Sequence, residues 1–456
     1  MENIKYLFKR KIESKFDNWF LNDKNEKSLL VKGLRQVGKT TLIKKYAEDH
    51  FKNVVYIDFI KKKQLKKVFD MDFDIDRITR ELTAFDDSYI FEAGKTVIIF
   101  DEVQECAAAR ESVKYFIEDK RYFVIESGSL LGIKGYNAKN ISVPVGFESI
   151  VEMYPLDFEE FLWTKKINLN SINIIKESRD SLQKVPEIIN SKFKGLFKEY
   201  LIVGGMPAVI RKYLQTGSFS KVKEEQLSLL NQFKDDFGKR LNADENETYN
   251  KTLLANINKV FASLPSQLAK ENNKFSYAQI EKKGRSKTFD PAIQWLEDYG
   301  LIRKCYNLQL IELPLEGNKN DAYFKLYPAD IGLLVAMLND APANIINNEY
   351  GIYNGAIYEG LIADSLIKNG HNLYYYHNDN SLEIDFVIEE NGKPVIIEVK
   401  AKDGNTKSAN YILKNKEKYN VDKCYKFADL QVGAINNKIT LPSYMAFYVL
   451  NKDNYS

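Results

Sequence analysis

The stretch 33-GLRQVGKTT-41 constrains this chain more than any other. It fits G-x-x-x-x-G-K-[ST] through Gly33, Gly38, Lys39 and Thr40. An apolar run, 28-SLLVKG-33, precedes it directly, and a helical pattern, 39-KTTLIKKYAED-49, follows directly. Glycines let the backbone curl until successive N–H groups face one point, and the start of the helix adds its dipole. A strand–loop–helix of this kind is built to hold phosphate. Gly33, Arg35, Gln36, Val37, Gly38, Lys39, Thr40 and Thr41 are therefore expected to wrap the phosphates of ATP. Lys39 would reach the β- and γ-phosphates, and the Thr40 hydroxyl would ligate Mg²⁺. The bland reading, a plain strand-to-helix turn, does not explain why both flanks have the required pattern.

Such a loop needs an acid at the end of a neighbouring strand. The stretch 97-VIIFDEVQ-104 supplies Asp101 for the Mg²⁺ shell and Glu102 to polarise a water. The adjacent pair matters because the metal occupies one carboxylate while hydrolysis requires a second. Asp58 in 54-VVYIDF-59 also ends a strand but has no acid behind it, so it reads as structural. In 126-ESGSLL-131, Ser127 and Ser129 either sense the γ-phosphate or form a small-residue turn. The runs 28–33, 53–59, 96–102 and 121–127 alternate with helical segments and are apolar on both faces. That pattern predicts a parallel sheet covered by helices, an α/β fold.

At 456 residues the chain is too long for one core. The pattern divides it into an ATPase domain at 1–165, a helical region at 166–260, a winged helix at 261–345 and a last α/β domain at 346–456. The winged-helix outline is 275-FSYAQIEKKGRSKTFDPAIQWLEDYGLIRKCYN-307 followed by 323-YFKLY-327, with Ser286 or Thr288 capping the second helix and Gly300 ending it. Lys282, Lys283, Arg285 and Lys287 bunch before that helix, as phosphate contacts on a duplex or as a solvated turn. The net charge of +3 gives no global case for nucleic acid. Three scattered cysteines and three histidines show no zinc spacing. Runs such as 331-IGLLVAML-338 fall short of the roughly 20 residues of a membrane span. The first residues read as an amphipathic helix, with no apolar core of a signal peptide, so a cytoplasmic location is expected.

Together these residues resemble bacterial and archaeal AAA+ superfamily ATPases that carry an uncharacterised region behind the ATPase core. The likeness runs through GLRQVGKTTL, IIFDEVQ, and ESGSLL in place of the usual Thr-Gly-Ser-Ser. It continues in 153-MYPLDFEEFL-162, 203-VGGMPAVI-210 and the segment ending 301-LIRK-304. The resemblance implies ATP binding and hydrolysis on a P-loop α/β fold, and a tail of restriction-endonuclease type. One departure is Gly146-Phe147, where many relatives have Gly-Arg. The arginine that would neutralise transition-state charge is therefore unassigned, with Arg35, Arg110 and Arg211 as candidates or a partner's residue in its place.

The tail carries a second acidic motif, 382-LEIDFVIEENGKPVIIEVKAK-402. Asn391-Gly392 signals a type I′ hairpin turn. That register opposes Asp385 to Glu398 and Glu383 to Lys400. It sets the apolar residues on one face and the charges on the other. Facing carboxylates repel unless a cation lies between them. Glu359, on the apolar stripe of 355-GAIYEGLIADSLIKNG-370, is expected to join them. Glu359, Asp385, Glu398 and Lys400 look like the E…D…E-x-K core of the PD-(D/E)xK nuclease superfamily. There Asp385 and Glu398 would hold Mg²⁺ and the lysine would activate water. The bland alternative is a set of ion pairs.

Two functions follow. One is an Mg²⁺-dependent ATPase controlling a tail that binds or cleaves DNA or RNA. The other is an ATP-driven switch that recruits a protein partner through an inert tail. Neither involves a membrane, and both are compatible with an oligomer.

Overall fold

The computed structural model describes residues 8–129, 144–241, 247–269, 274–338, 341–347, 354–378 and 382–450. The chain forms two units, one of Met1–Tyr154 with Asp298–Gly300 and one of Pro155–Glu297 with Leu301–Ser456. No described helix is long and apolar enough to cross a membrane.

The first unit is built on a five-stranded sheet of order β2-β3-β4-β1-β5. Its strands are β1 (Ser28–Lys32), β2 (Asn53–Asp58), β3 (Thr96–Asp101), β4 (Phe123–Gly128) and β5 (Glu148–Glu152). Every pairing is parallel. Parallel strands need crossovers, and helices Lys39–His50, Ile75–Phe85 and Ala107–Asp119 supply them. The strand residues are apolar on both faces because helices cover both sides. Leu30, Val55, Ile57, Ile98, Phe100 and Val124 are all buried in one core cluster. All-parallel geometry also brings the carboxyl ends of β1, β3 and β4 to the same edge, which is where the motif residues lie.

The second unit opens with helices Phe158–Thr164, Leu169–Asp180, Glu187–Val203, Pro207–Thr216, Phe219–Leu241 and Glu247–Leu268. The first is closed by a capping box, Asp157 and Glu160 each accepting the other's backbone N–H. Helices Tyr277–Ile280 and Ser286–Asp298 follow, then antiparallel β6 (Ile302–Leu308) and β7 (Lys319–Pro328). Ser286 is itself the first helical residue and does not stand outside the helix as a cap.

The remaining strands are β8 (Leu373–His377), β9 (Glu383–Ile384), β10 (Phe386–Glu390), β11 (Lys393–Val399), β12 (Lys423–Ala428), β13 (Gly433–Ile435) and β14 (Lys438–Pro442). They make two sheets, β7-β6-β8-β9 and β10-β11-β12-β14-β13. The parallel β6–β8 pairing joins the segments expected on either side of residue 345 in one sheet.

Hairpin β10–β11 turns at Asn391 and Gly392, both left-handed with φ of 52° and 70°. Its ladder runs from Phe386 opposite Ile397 to Glu390 opposite Lys393. Two expectations for this hairpin are corrected. Glu383 does not face Lys400, because β9 leaves the hairpin and pairs with β8, setting Glu383 opposite His377. The face assigned to the charges is also apolar along its length: Val387 and Ile396 on it pack into one core cluster with Cys424, while Phe386 and Ile397, on the other face, are equally buried.

Candidate functional site

In the first unit the loop leaves β1 through a tight approach. A Cβ on Gly33 would stand 2.2 Å from the Met153 carbonyl oxygen. The Met153 N–H bonds Lys32 O at 2.8 Å, so the constraint comes from the sheet itself. Gln36 and Gly38 are left-handed, with φ of 66° and 98°. Arg35, Gln36, Val37 and Gly38 thus curl as one loop into the helix that begins at Lys39, with Thr40 and Thr41 in its first turn. Lys39 is buried, and its ammonium donates to Gly33 O at 2.8 Å and Leu34 O at 3.0 Å.

The acid partner is in place. Thr40 Oγ1 lies 3.1 and 3.0 Å from the two oxygens of Asp101, at the buried end of β3. Ser127 Oγ and the Tyr56 hydroxyl also donate to Asp101, the latter at 2.5 Å. Burial and Asp101 push the Tyr56 phenol far above its ordinary range, so it stays a donor. Lys44 rests on the Tyr56 ring, 3.3 Å from its centre. Burial lowers the Lys44 amine against the pull of Asp101.

Glu102 follows in the left-handed region, φ 54°, which turns its side chain out of the strand line. It accepts from Gln104 Nε2 at 2.5 Å and from Ser129 Oγ at 3.3 Å. Ser127 and Ser129 therefore contact the two carboxylates, one each. Asp58 sits beside Asp101 on β2 but accepts the N–H groups of Ile60 and Lys61, which closes the turn after the strand.

Of the candidate arginines, Arg110 is held in a two-pronged pair with Glu148 at 2.8 and 2.9 Å. A guanidinium on helix Ala107–Asp119 that is tied in this way to β5 of its own unit is not available as a finger, which corrects that candidacy. Arg211 is exposed on helix Pro207–Thr216 of the second unit. Sequence reasoning missed Arg10, Tyr56 and Gln104, each of which touches the loop or the acids. Arg10 donates to Val37 O at 3.1 Å, across 27 positions of sequence.

The acids of the second unit are arranged differently. Lys400 Nζ stands 3.4 Å from Asp385 and 2.8 Å from Glu398. Asp385 also accepts the Val399 N–H at 2.7 Å, so its side chain substitutes for a rung of the ladder. Glu359 does not join them. It accepts from the Tyr327 hydroxyl at 3.0 Å and pairs at 3.6 Å with Lys325, whose ammonium also lies 3.3 Å from Glu383. Lys325 is fully buried, in the middle of 323-YFKLY-327. Its partners hold its amine above the ordinary range despite burial.

Among the described residues no group of three His, Cys, Asp or Glu side chains is placed to hold a metal ion. The four acids named for the tail are thus divided between two lysines, and Lys400 stands where a cation between Asp385 and Glu398 was expected. The nucleotide site meets the opposite test. Its glycine cradle, its loop lysine and a hydroxyl–carboxylate pair suit ATP with Mg²⁺.

Residues 25–162 match the family model of an AAA domain. This stretch is an AAA-type P-loop ATPase domain. Residues 194–344 match a domain of unknown function (DUF8612), and residues 354–438 match another (DUF4143). No curated protein matches the chain. Similar solved structures include the Walker-type ATPase PABY2304 of Pyrococcus abyssi. It is 14% identical over 73% of this chain and 96% of that one, with a TM-score of 0.42. AMPPCP-bound DnaA from Aquifex aeolicus is 13% identical over 65% and 92%, with a TM-score of 0.28. A DNA replication initiation factor is 12% identical over 64% and 90%, with a TM-score of 0.24.

Proposed function

We propose that the AAA domain binds and hydrolyses ATP with Mg²⁺, and that the second unit is a non-cleaving module whose partner contacts depend on nucleotide state. The observation that carries the first half is the convergence of Thr40 and Asp101, 3.0 Å apart, with Glu102 next in sequence and Lys39 folded over the loop. Thr40 and Asp101 would hold Mg²⁺, which when bound neutralises phosphate charge. The loop N–H groups and Lys39 bind and orient the phosphates. Glu102, steadied by Gln104 and Ser129, positions the attacking water and accepts its proton.

For the second half, Lys400 between Asp385 and Glu398 and Lys325 between Glu359 and Glu383 supply the positive charge that a catalytic metal would supply. Ion-paired, with Asp385 and Glu398 buried and Glu359 and Glu383 partly so, these acids support a framework role. The exposed Lys282, Lys283, Arg285 and Lys287 favour a second reading in which nucleic-acid phosphates are the contact.

The test is Mg²⁺-dependent ATP turnover by wild type and Lys39→Ala, with and without DNA or RNA, beside plasmid nicking by wild type and Asp385→Ala. Turnover lost in Lys39→Ala, with no nicking by either protein, supports the proposal. Nicking that depends on Asp385 contradicts the non-cleaving half, and turnover that survives Lys39→Ala contradicts the first.

A further inference from the structure

Arg10 lies ahead of the matched AAA stretch, yet its side chain ends at the phosphate loop. It is buried, with Nη1 3.1 Å from the carbonyl oxygen of Val37 and Nη2 2.6 Å from that of Tyr154. The Arg10 backbone N–H bonds Glu13 Oε1 at 2.6 Å, which fixes the start of the segment. Tyr154 follows Met153, whose carbonyl abuts Gly33 at the other end of the loop. One guanidinium therefore ties the last turn of the loop to the strand extension that flanks its first residue.

The consequence follows from peptide geometry. A trans peptide is planar, with its C=O and N–H pointing to opposite sides. Fixing the Val37 carbonyl toward Arg10 fixes the Gly38 N–H away from it. At Gly38, φ is 98°, a conformation with no strong steric preference of its own to hold that plane. A cationic donor to a carbonyl is also stronger than a neutral one.

We infer that Arg10 is a positioning residue for phosphate binding. By holding one carbonyl outward, it pre-orients the Gly38 N–H as a phosphate donor, so that binding does not have to order the loop. This rests on the ATP-binding reading above.

The experiment measures the affinity of wild type, Arg10→Met and Arg10→Lys for ADP and ATP by fluorescence titration. It is run at a temperature where circular dichroism shows each protein folded, with kcat and KM taken alongside. Arg10→Met should weaken both nucleotides roughly tenfold or more, through KM rather than kcat. Arg10→Lys keeps the charge but spans one carbonyl, and should fall between the two. If Arg10→Met does not fold, Arg10→Lys alone decides, with affinity a few-fold below wild type expected. Affinities within twofold of wild type in the folded variants overturn the inference while leaving ATP binding intact. A wild type that binds neither nucleotide overturns the ATP reading itself, and this inference with it.

Discussion

Both units hold carboxylates buried or partly buried at their sheets, and they offset that burial by different means. In the AAA domain, Asp101 is surrounded by the hydroxyls of Thr40, Ser127 and Tyr56. Hydroxyls satisfy its lone pairs without cancelling its charge, so the carboxylate keeps its attraction for a divalent cation. In the second unit, Glu359, Glu383, Asp385 and Glu398 meet the ammonium groups of Lys325 and Lys400. There the charge is answered from within the chain. A row of acids in a sequence therefore has two physical meanings, and the residue type that faces them decides between them.

The largest effect is expected at Lys325. Lys325→Met leaves the partly buried Glu359 and Glu383 without their cation and should destabilise the second unit by about 3 kcal/mol, read by urea unfolding. A loss below about 1 kcal/mol would mean that the lysine is not what holds those acids.

Glu398 makes the second unit's stability depend on pH. Burial first, and then Asp385, raise its carboxyl to about 7, against the pull of Lys400. A carboxyl whose pKa is higher in the folded than in the unfolded chain favours folding below its ordinary range. That contribution is lost as pH rises from about 4.5 to about 7. Wild-type stability should decline over that window by up to about 3 kcal/mol from this group, and Glu398→Gln should flatten the decline. An unchanged slope contradicts the assignment.

Tyr56→Phe keeps the ring on which Lys44 rests and removes one donor to Asp101. It should cost the AAA domain about 1 kcal/mol in thermal or chemical unfolding. Smallest of all, replacing the exposed Lys282 and Lys283 by Ala should move stability by less than about 0.5 kcal/mol. A large, salt-dependent loss of duplex affinity in that variant would promote the nucleic-acid reading.

What could be read from sequence was local. The phosphate loop is written in contiguous residues, since its glycines, its lysine and its flanking strand and helix all lie within a few turns of chain. The Asn391-Gly392 turn is local in the same way, and the ladder beside it follows from counting. The partners that decide chemistry are distant. Tyr56 meets Asp101 from 45 positions away, and Lys325 meets Glu383 from 58. A lysine inside an apolar strand was the available signal for the second, because an ammonium is rarely buried without an anion. Arg10 gave no such signal among its neighbouring lysines. The expectation that Glu383 faces Lys400 failed because alternation assumes a strand that continues. The side chain of Asp385 takes the Val399 N–H instead, and the chain departs to another sheet.

The most direct measurement is single-site turnover by Glu102→Gln in Mg²⁺, with ATP affinity determined on the same protein. Glu102 accepts from Gln104 and Ser129 and is next in sequence to the carboxylate that Thr40 contacts. If these side chains form one hydrolytic site, turnover should fall by roughly a hundredfold or more while ATP affinity stays within a few-fold of wild type. Turnover that persists in Glu102→Gln, or affinity that disappears along with it, would contradict the account.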